Sequence, residues 1–313
     1  MVEKNNMYVY KAFGLCIRSE VSLPEIIEIE ASEKLSEDIV VKEMDLTSLW
    51  LKDSIPGKHF VITENTCLFN VPEVAIYFVQ NGNEVIVSPF NGSDEDQRRL
   101  YILGTCMGAV LMQRKILPLH GSAVAIDGKA YAIVGDSGAG KSTLASAFLN
   151  NGCQLLSDDV IPITISMENI PMVTPAYPQQ KLWLESLHKF GMKSNQYRPI
   201  FARETKFAVP VSTQFAEKPL PLAGIYELVK TDHEKVNIHE IENMERFYTL
   251  FKHTYRNFFI TRAHLMEWHF QTSAHILSKI SMYQLQRPTS RFTAANLTDL
   301  VLSTITKEEM VYE

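Results

Sequence analysis

The chain lacks any excess of positive charge: 30 Lys and Arg against 36 Asp and Glu give a formal net charge of −6 over 313 residues. The broad basic field that marks nucleic-acid binding is therefore missing. No apolar run approaches the roughly 18 residues of a membrane-spanning helix, so neither nucleic acid nor membrane is an expected partner. Met1 to Tyr10 mixes charged and polar groups and lacks the apolar centre of a signal peptide. Cysteine is scarce. Cys16, Cys67, Cys106 and Cys153 are scattered without C-x-x-C spacing, which argues against a zinc site and for reduced, mostly buried thiols of a cytoplasmic protein. No internal repeat or low-complexity segment is visible. What is present, 46% apolar and 21% charged residues, is ordinary globular composition, and the length suits one large domain or two smaller ones.

The pattern along the chain predicts an α/β protein. Met7 to Glu20 alternates apolar and polar types and reads as one strand, ended by Leu23-Pro24. The charged stretch from Glu25 to Glu43 reads as a surface segment with a strand at its end. Short strands are expected at His59-Phe60-Val61-Ile62, Val74-Ala75-Ile76-Tyr77-Phe78 and Glu84-Val85-Ile86-Val87, with Asn81-Gly82-Asn83 turning the last two into a hairpin. Asn91-Gly92-Ser93-Asp94 then caps a helix over roughly 96–113, with Leu100, Leu103, Met107 and Leu111 at helical spacing. The boundary is placed after it, giving a smaller α/β domain over 1–116 and a larger one over 117–313.

The larger part opens with a strand pair, Leu119 to Ile126 and Lys129 to Val134, joined by the tight turn Asp127-Gly128. Next comes Gly135-Asp136-Ser137-Gly138-Ala139-Gly140-Lys141-Ser142-Thr143, which fits G-x-x-x-x-G-K-[ST] between an apolar strand and the helix-forming run Leu144 to Leu149. Glycines let successive backbone N–H groups turn toward one anion, and the helix N-terminus adds partial positive charge. The whole run is the expected nucleotide-binding loop, with Lys141 reaching the β- and γ-phosphates and the Ser142 hydroxyl on Mg²⁺. The helix stops at Asn150-Asn151-Gly152, and Gln154 to Ile163 is an apolar strand interrupted by Asp158 and Asp159. This strand returns beside the loop. Alternation along it would send the two carboxylates to opposite faces, one holding Mg²⁺ and the other facing an incoming hydroxyl. His120 stands across the hairpin from the loop, where it would steady a transferred phosphoryl group or orient Asp158.

Leu119-His120-Gly121-Ser122, a hairpin, the Gly-Asp-Ser-Gly-x-Gly-Lys-Ser loop and the Asp-Asp pair resemble HPr kinase/phosphorylase over residues 119–163. The resemblance implies a phosphate-loop fold shared with phosphoenolpyruvate carboxykinase, and serine phosphorylation with ATP and Mg²⁺. By motif it places His120, Lys141 and Asp158 in catalysis, with Asp158 taking the serine proton, and leaves Ser142 and Asp159 to hold Mg²⁺. The Glu-Ile-Arg-Gly stretch of the bacterial enzymes is absent after residue 163. In its place stand Pro175-Ala176-Tyr177-Pro178-Gln179-Gln180-Lys181-Leu182-Trp183 and the stretch 218–228. Together with Tyr10 to Leu15 and Ser19 to Pro24, these are similar to HPr-kinase-related proteins encoded with lasso peptides. That similarity implies a ribosomal precursor peptide as partner, phosphorylated on its C-terminal serine.

The alternatives are a serine kinase acting on an HPr-type carrier protein, and a nucleotide-gated binding module without transfer. Self-association into a homo-oligomer is compatible with each. The aromatic and basic stretch 246–259 reads as an amphipathic helix with aromatics in the core and Lys252, His253 and Arg256 on its polar side, where they could touch phosphate or a peptide carboxylate. Trp183 reads as a core residue, and His264 and His269 as surface or internally satisfied histidines. Arg203 and Lys206 lie in a polar stretch that could meet substrate.

Overall fold

A computed structural model of the chain describes residues 7–30, 37–200 and 203–312. The first of its three sheets is built from residues 8–89: β1 (Tyr8–Ala12), β2 (Leu15–Ser19), β3 (Ile27–Glu28), β4 (Ile39–Glu43), β5 (Phe60–Ile62), β6 (Thr66–Val71), β7 (Ala75–Gln80) and β8 (Glu84–Pro89). Their order is β3-β1-β2-β4-β8-β7-β6-β5. The single strand expected over 7–20 is a hairpin, because Phe13 and Gly14 both take positive φ and reverse the chain. Part of the charged segment after it, residues 31–36, lies outside the described residues.

The capped helix is present. The Asp94 side chain accepts the Gln97 N–H at 2.9 Å, which satisfies one of the first-turn donors a helix leaves unpaired. Glu95–Tyr101 runs into Met107–Gln113 through a π-helical turn, Ile102–Cys106. Such a wide turn inside a helix often marks a functional site.

The second sheet holds β9 (Leu117–Ile126), β10 (Lys129–Val134), β11 (Gln154–Ile165), β12 (Pro171–Val173), β16 (Leu220–Thr231), β17 (Asn237–Glu240) and β18 (Ser281–Pro288). Between them, β13 (Gln179–Trp183), β14 (Arg198–Ile200) and β15 (Arg203–Pro210) make a small third sheet. In the second sheet β10 pairs with β9 on one side and, in parallel, with β16 on the other. β11 bridges β9 to β12, and β12 meets β16. The pairings thus close on themselves around β10, the strand that feeds the glycine loop.

The helix expected over 246–259 is two shorter helices, Asn243–Lys252 and Phe258–Arg262. Arg256 takes φ 48° between them, and residues 253–255 instead run against β9: His120 N–H donates to the His253 carbonyl at 2.8 Å and Tyr255 N–H to the Pro118 carbonyl at 2.8 Å. One buried cluster joins the first sheet to the rest of the chain. Phe69 and Tyr77, and Ile102, Met107 and Leu111 of the long helix, pack with Val160, Tyr177, Tyr255 and Phe259. Burying a side chain of this size is worth roughly 1.5–3 kcal/mol.

Candidate functional site

The glycine loop spans the turn between β10 and the helix Lys141–Asn150. Gly140, at the helix N-cap, takes φ +107°, and Gly135 takes φ +150° with its Cα so close to β16 that a Cβ would lie 2.5 Å from the Leu228 carbonyl oxygen. Only glycine accepts both demands. The Lys141 amine turns back into the loop, donating to the carbonyls of Gly135 at 2.8 Å and Asp136 at 3.1 Å. Burial pulls this amine below its ordinary value, and the carboxylates of Asp158 and Asp159 pull in the opposite direction.

β11 sets Asp158 level with Ser122 and Asp159 level with Gly121 on β9. The expected alternation fails here: Asp159 takes φ +88°, and both carboxylates line the same cleft. A non-glycine residue held at such an angle is strained, and strain of this kind clusters at functional sites. Asp158 Oδ1 accepts from Ser122 Oγ at 2.5 Å and from Ser142 Oγ at 2.9 Å, while Oδ2 accepts the Lys181 N–H at 2.7 Å. The loop hydroxyl is therefore joined to Asp158, where the sequence reading had grouped it with Asp159. Asp159 meets the buried Lys181 amine at 2.6 Å and His120 Nδ1 at 3.4 Å. Burial would raise its carboxyl, but Lys181 and His120 outweigh that and hold it well below the usual carboxylate range. His120 Nδ1–H donates to the Asp159 main-chain carbonyl at 3.1 Å, which leaves Nε2 as the ring's acceptor. Burial keeps this imidazole's pKa below the ordinary histidine value, against the pull of Asp159.

The loop, Lys141, Ser142, Asp158, Asp159 and His120 meet in one cleft of about 680 Å³. Lys181, Trp183, Lys206, Lys252, His253 and Tyr255 line it too. Trp183 is 38% exposed and not a core residue; Lys206 stands over its ring at 5.5 Å. The side chain of Arg203 lies outside the described residues. His269 is satisfied internally, its Nε2 hydrogen-bonded with Thr254 Oγ1 at 2.9 Å, and burial lowers its pKa to about 4. A second cavity, about 430 Å³, shares Gly138, Gly140 and Thr143 with the first and is lined by Lys230, Arg287 and Phe292. Arg287 Nε donates to the Ala139 carbonyl and braces the loop from that side.

Ser142 and Asp158 present the hydroxyl and carboxylate oxygens that suit a hard divalent cation. Among the described residues no three His, Cys, Asp or Glu side chains form a self-contained metal site. A hard cation placed here would draw its remaining oxygen ligands from outside the chain.

No family model matches the chain. No curated protein matches it either. Among solved structures, the Hpr(Ser) kinase/phosphatase from Coxiella burnetii aligns over 62% of this chain and 97% of its own, at 15% identity and a TM-score of 0.34. A likeness that loose assigns neither substrate nor activity. The chain is a mixed α/β protein with a strand–glycine loop–helix site. Among its described residues no helix is long and apolar enough to cross a membrane.

Proposed function

We propose that this protein is an ATP-dependent kinase that phosphorylates a serine hydroxyl, with the C-terminal serine of a ribosomally made precursor peptide of the lasso type as acceptor. The observation that supports it most is the 2.9 Å hydrogen bond from Ser142 Oγ to Asp158 Oδ1. It joins the loop that would hold the phosphates to the strand that carries both acids.

In this reading Gly135 to Thr143 and Lys141 hold the triphosphate, and the nucleoside extends over Gly138 and Gly140 into the smaller cavity. Ser142 and Asp158 would hold magnesium, which when bound offsets charge on the phosphate oxygens. Asp159 and His120 orient the acceptor hydroxyl. Asp159, kept charged by Lys181, accepts its one hydrogen bond, and His120 stands beside Asp159 and helps to hold that carboxylate in place. Transfer of this type needs positioning and charge neutralisation more than a strong base, so an acid of depressed pKa suits the task.

The test is transfer itself. A synthetic peptide ending in serine, incubated with the protein, ATP and Mg²⁺, should gain one phosphate by mass spectrometry. The same peptide with alanine at its terminus should gain none, and folded Lys141→Ala protein should be slower by orders of magnitude. Efficient transfer to the alanine peptide, or to an HPr-like protein in strong preference, would refute the peptide acceptor. Normal transfer by Lys141→Ala would refute the phosphate loop.

A further inference from the structure

Beside the glycine loop lies a second charged cluster, in which Lys252 and His253, from the polar side of the 246–259 stretch, meet Glu227. Glu227 on β16 is level with Val134, the last residue of β10 before the loop. Its side chain is 6% exposed. It accepts from His253 Nε2–H at 2.8 Å, from Gln284 Nε2 at 2.9 Å and from Lys252 Nζ at 3.3 Å. Burial would raise its carboxyl, but these partners bring its pKa down to about 2. A buried carboxylate is costly unless it is paired and hydrogen-bonded. His253 and Gln284 already give it two donors, one to each oxygen.

Lys252 has a second contact. Its amine is also 3.3 Å from Asp136 Oδ1, a loop side chain 76% exposed to solvent. Lys141 donates to the carbonyls of Gly135 and Asp136, so both amines contact the start of the loop. The two carboxylates on Lys252 differ in kind. The bond to Glu227 is shielded and fixes the end of the side chain. The bond to Asp136 is open to water, and an exposed pair of this kind is worth little. Burial pulls the Lys252 amine down, but Glu227 and Asp136 outweigh it and hold it above its ordinary value, so it stays charged through the neutral range.

We propose that Lys252 is a second phosphate-binding lysine, anchored by Glu227 and exchanging the Asp136 carboxylate for the terminal phosphate of ATP. The inference rests on the nucleotide reading of the loop. A phosphate entering the loop brings more charge to Lys252 than Asp136 does, and displacing Asp136 returns that carboxylate to water at small cost. Asp136 thereby competes with the terminal phosphate for the lysine until ATP is bound.

The test is nucleotide binding without an acceptor, measured by displacement of a fluorescent nucleotide with Mg²⁺ present. A charge-assisted hydrogen bond contributes enough to change affinity by about tenfold to a hundredfold. Lys252→Gln should therefore weaken ATP by about that factor and leave ADP within about twofold, while Lys252→Arg keeps the ATP-to-ADP ratio near that of the wild type. Asp136→Asn should act in the opposite sense and tighten ATP binding. That gain should vanish in the double variant. Circular dichroism confirms that each variant is folded. Equal losses of ATP and ADP on Lys252→Gln, or no gain on Asp136→Asn, overturn the proposal. A wild type that binds neither nucleotide overturns both this inference and the kinase reading. A wild type that binds both, beside a Lys252→Gln protein with an unchanged ratio, removes only the role of Lys252.

Discussion

Asp158 and Asp159 are neighbours in sequence and differ in almost every physical respect. Asp158 is held by hydroxyls from two elements and by a backbone N–H, so its carboxylate is fixed and aimed at the loop. Asp159 is held by a buried lysine and faces a histidine. In the proposed reading this asymmetry reverses the roles that the motif alone suggests. Asp158→Asn should raise the magnesium concentration needed for half-maximal transfer, because the carboxylate beside the loop hydroxyl is gone. Asp159→Asn should leave that requirement near normal and slow transfer at saturating Mg²⁺ by about 10²-fold, the cost of a misplaced acceptor. Magnesium titrations of the two variants decide the matter, and the opposite pattern would restore Asp159 as the metal-holding acid.

The helix that begins at Glu95 reaches this site through its π-helical turn. Gly104 and Gly108 are one helical turn apart, and Tyr255 lies against both. A Cβ on Gly108 would come within 2.7 Å of Tyr255 Cδ1, and one on Gly104 within 3.0 Å of its hydroxyl oxygen. The same ring lies 5.8 Å from that of His120. Gly108→Ala should therefore push Tyr255 toward the cleft. Overpacking of this kind costs about 1–3 kcal/mol, which a thermal melt would read as a lowered Tm, accompanied by slower transfer. An unchanged Tm and rate would show that the ring gives way freely. Nothing in the sequence announces this contact, since helical spacing predicts the helix and says nothing of a tyrosine far along the chain. The glycine loop, His120 and the acid pair were legible because each is a contiguous motif tied to its neighbours by short turns. Lys252 and His253 were legible as the polar side of the 246–259 stretch, but their partner Glu227 was not, because β16 reaches the loop only through a parallel pairing between distant segments. Trp183 was misplaced because an aromatic residue in an apolar strand is read as core by default. The break at Arg256 carried no proline or glycine to signal it.

At the scale of the whole molecule, the decisive feature is where the apolar surface goes. A division after residue 116 separates the strands of the first sheet from those of the other two, but the core does not follow it. Leu103, Cys106, Met107 and Val110 of the long helix share a buried cluster with strands β1, β2, β4 and β5 to β8 on one side and with Val160, Ala176, Tyr177, Phe259 and Ile260 on the other. Cutting the chain there would expose both halves of that cluster. Chains of this length commonly unfold domain by domain, and two-state behaviour is the norm only for small single domains. A shared core argues for coupling all the same, because neither half can open without stripping apolar surface from the other. Urea unfolding should therefore show coincident transitions when followed by far-ultraviolet circular dichroism and by tryptophan fluorescence. Single-tryptophan variants sharpen the comparison. Trp50 sits in the Thr47–Asp53 helix against the first sheet, and Trp268 packs where the shared cluster meets the core of the second sheet. With Trp50 as the sole reporter in one protein and Trp268 in the other, the two midpoints should agree. A Trp50 transition at clearly lower urea would show that residues 1–116 melt independently. The contacts of the long helix with Tyr255 would then be a docking surface between two domains instead of part of one core.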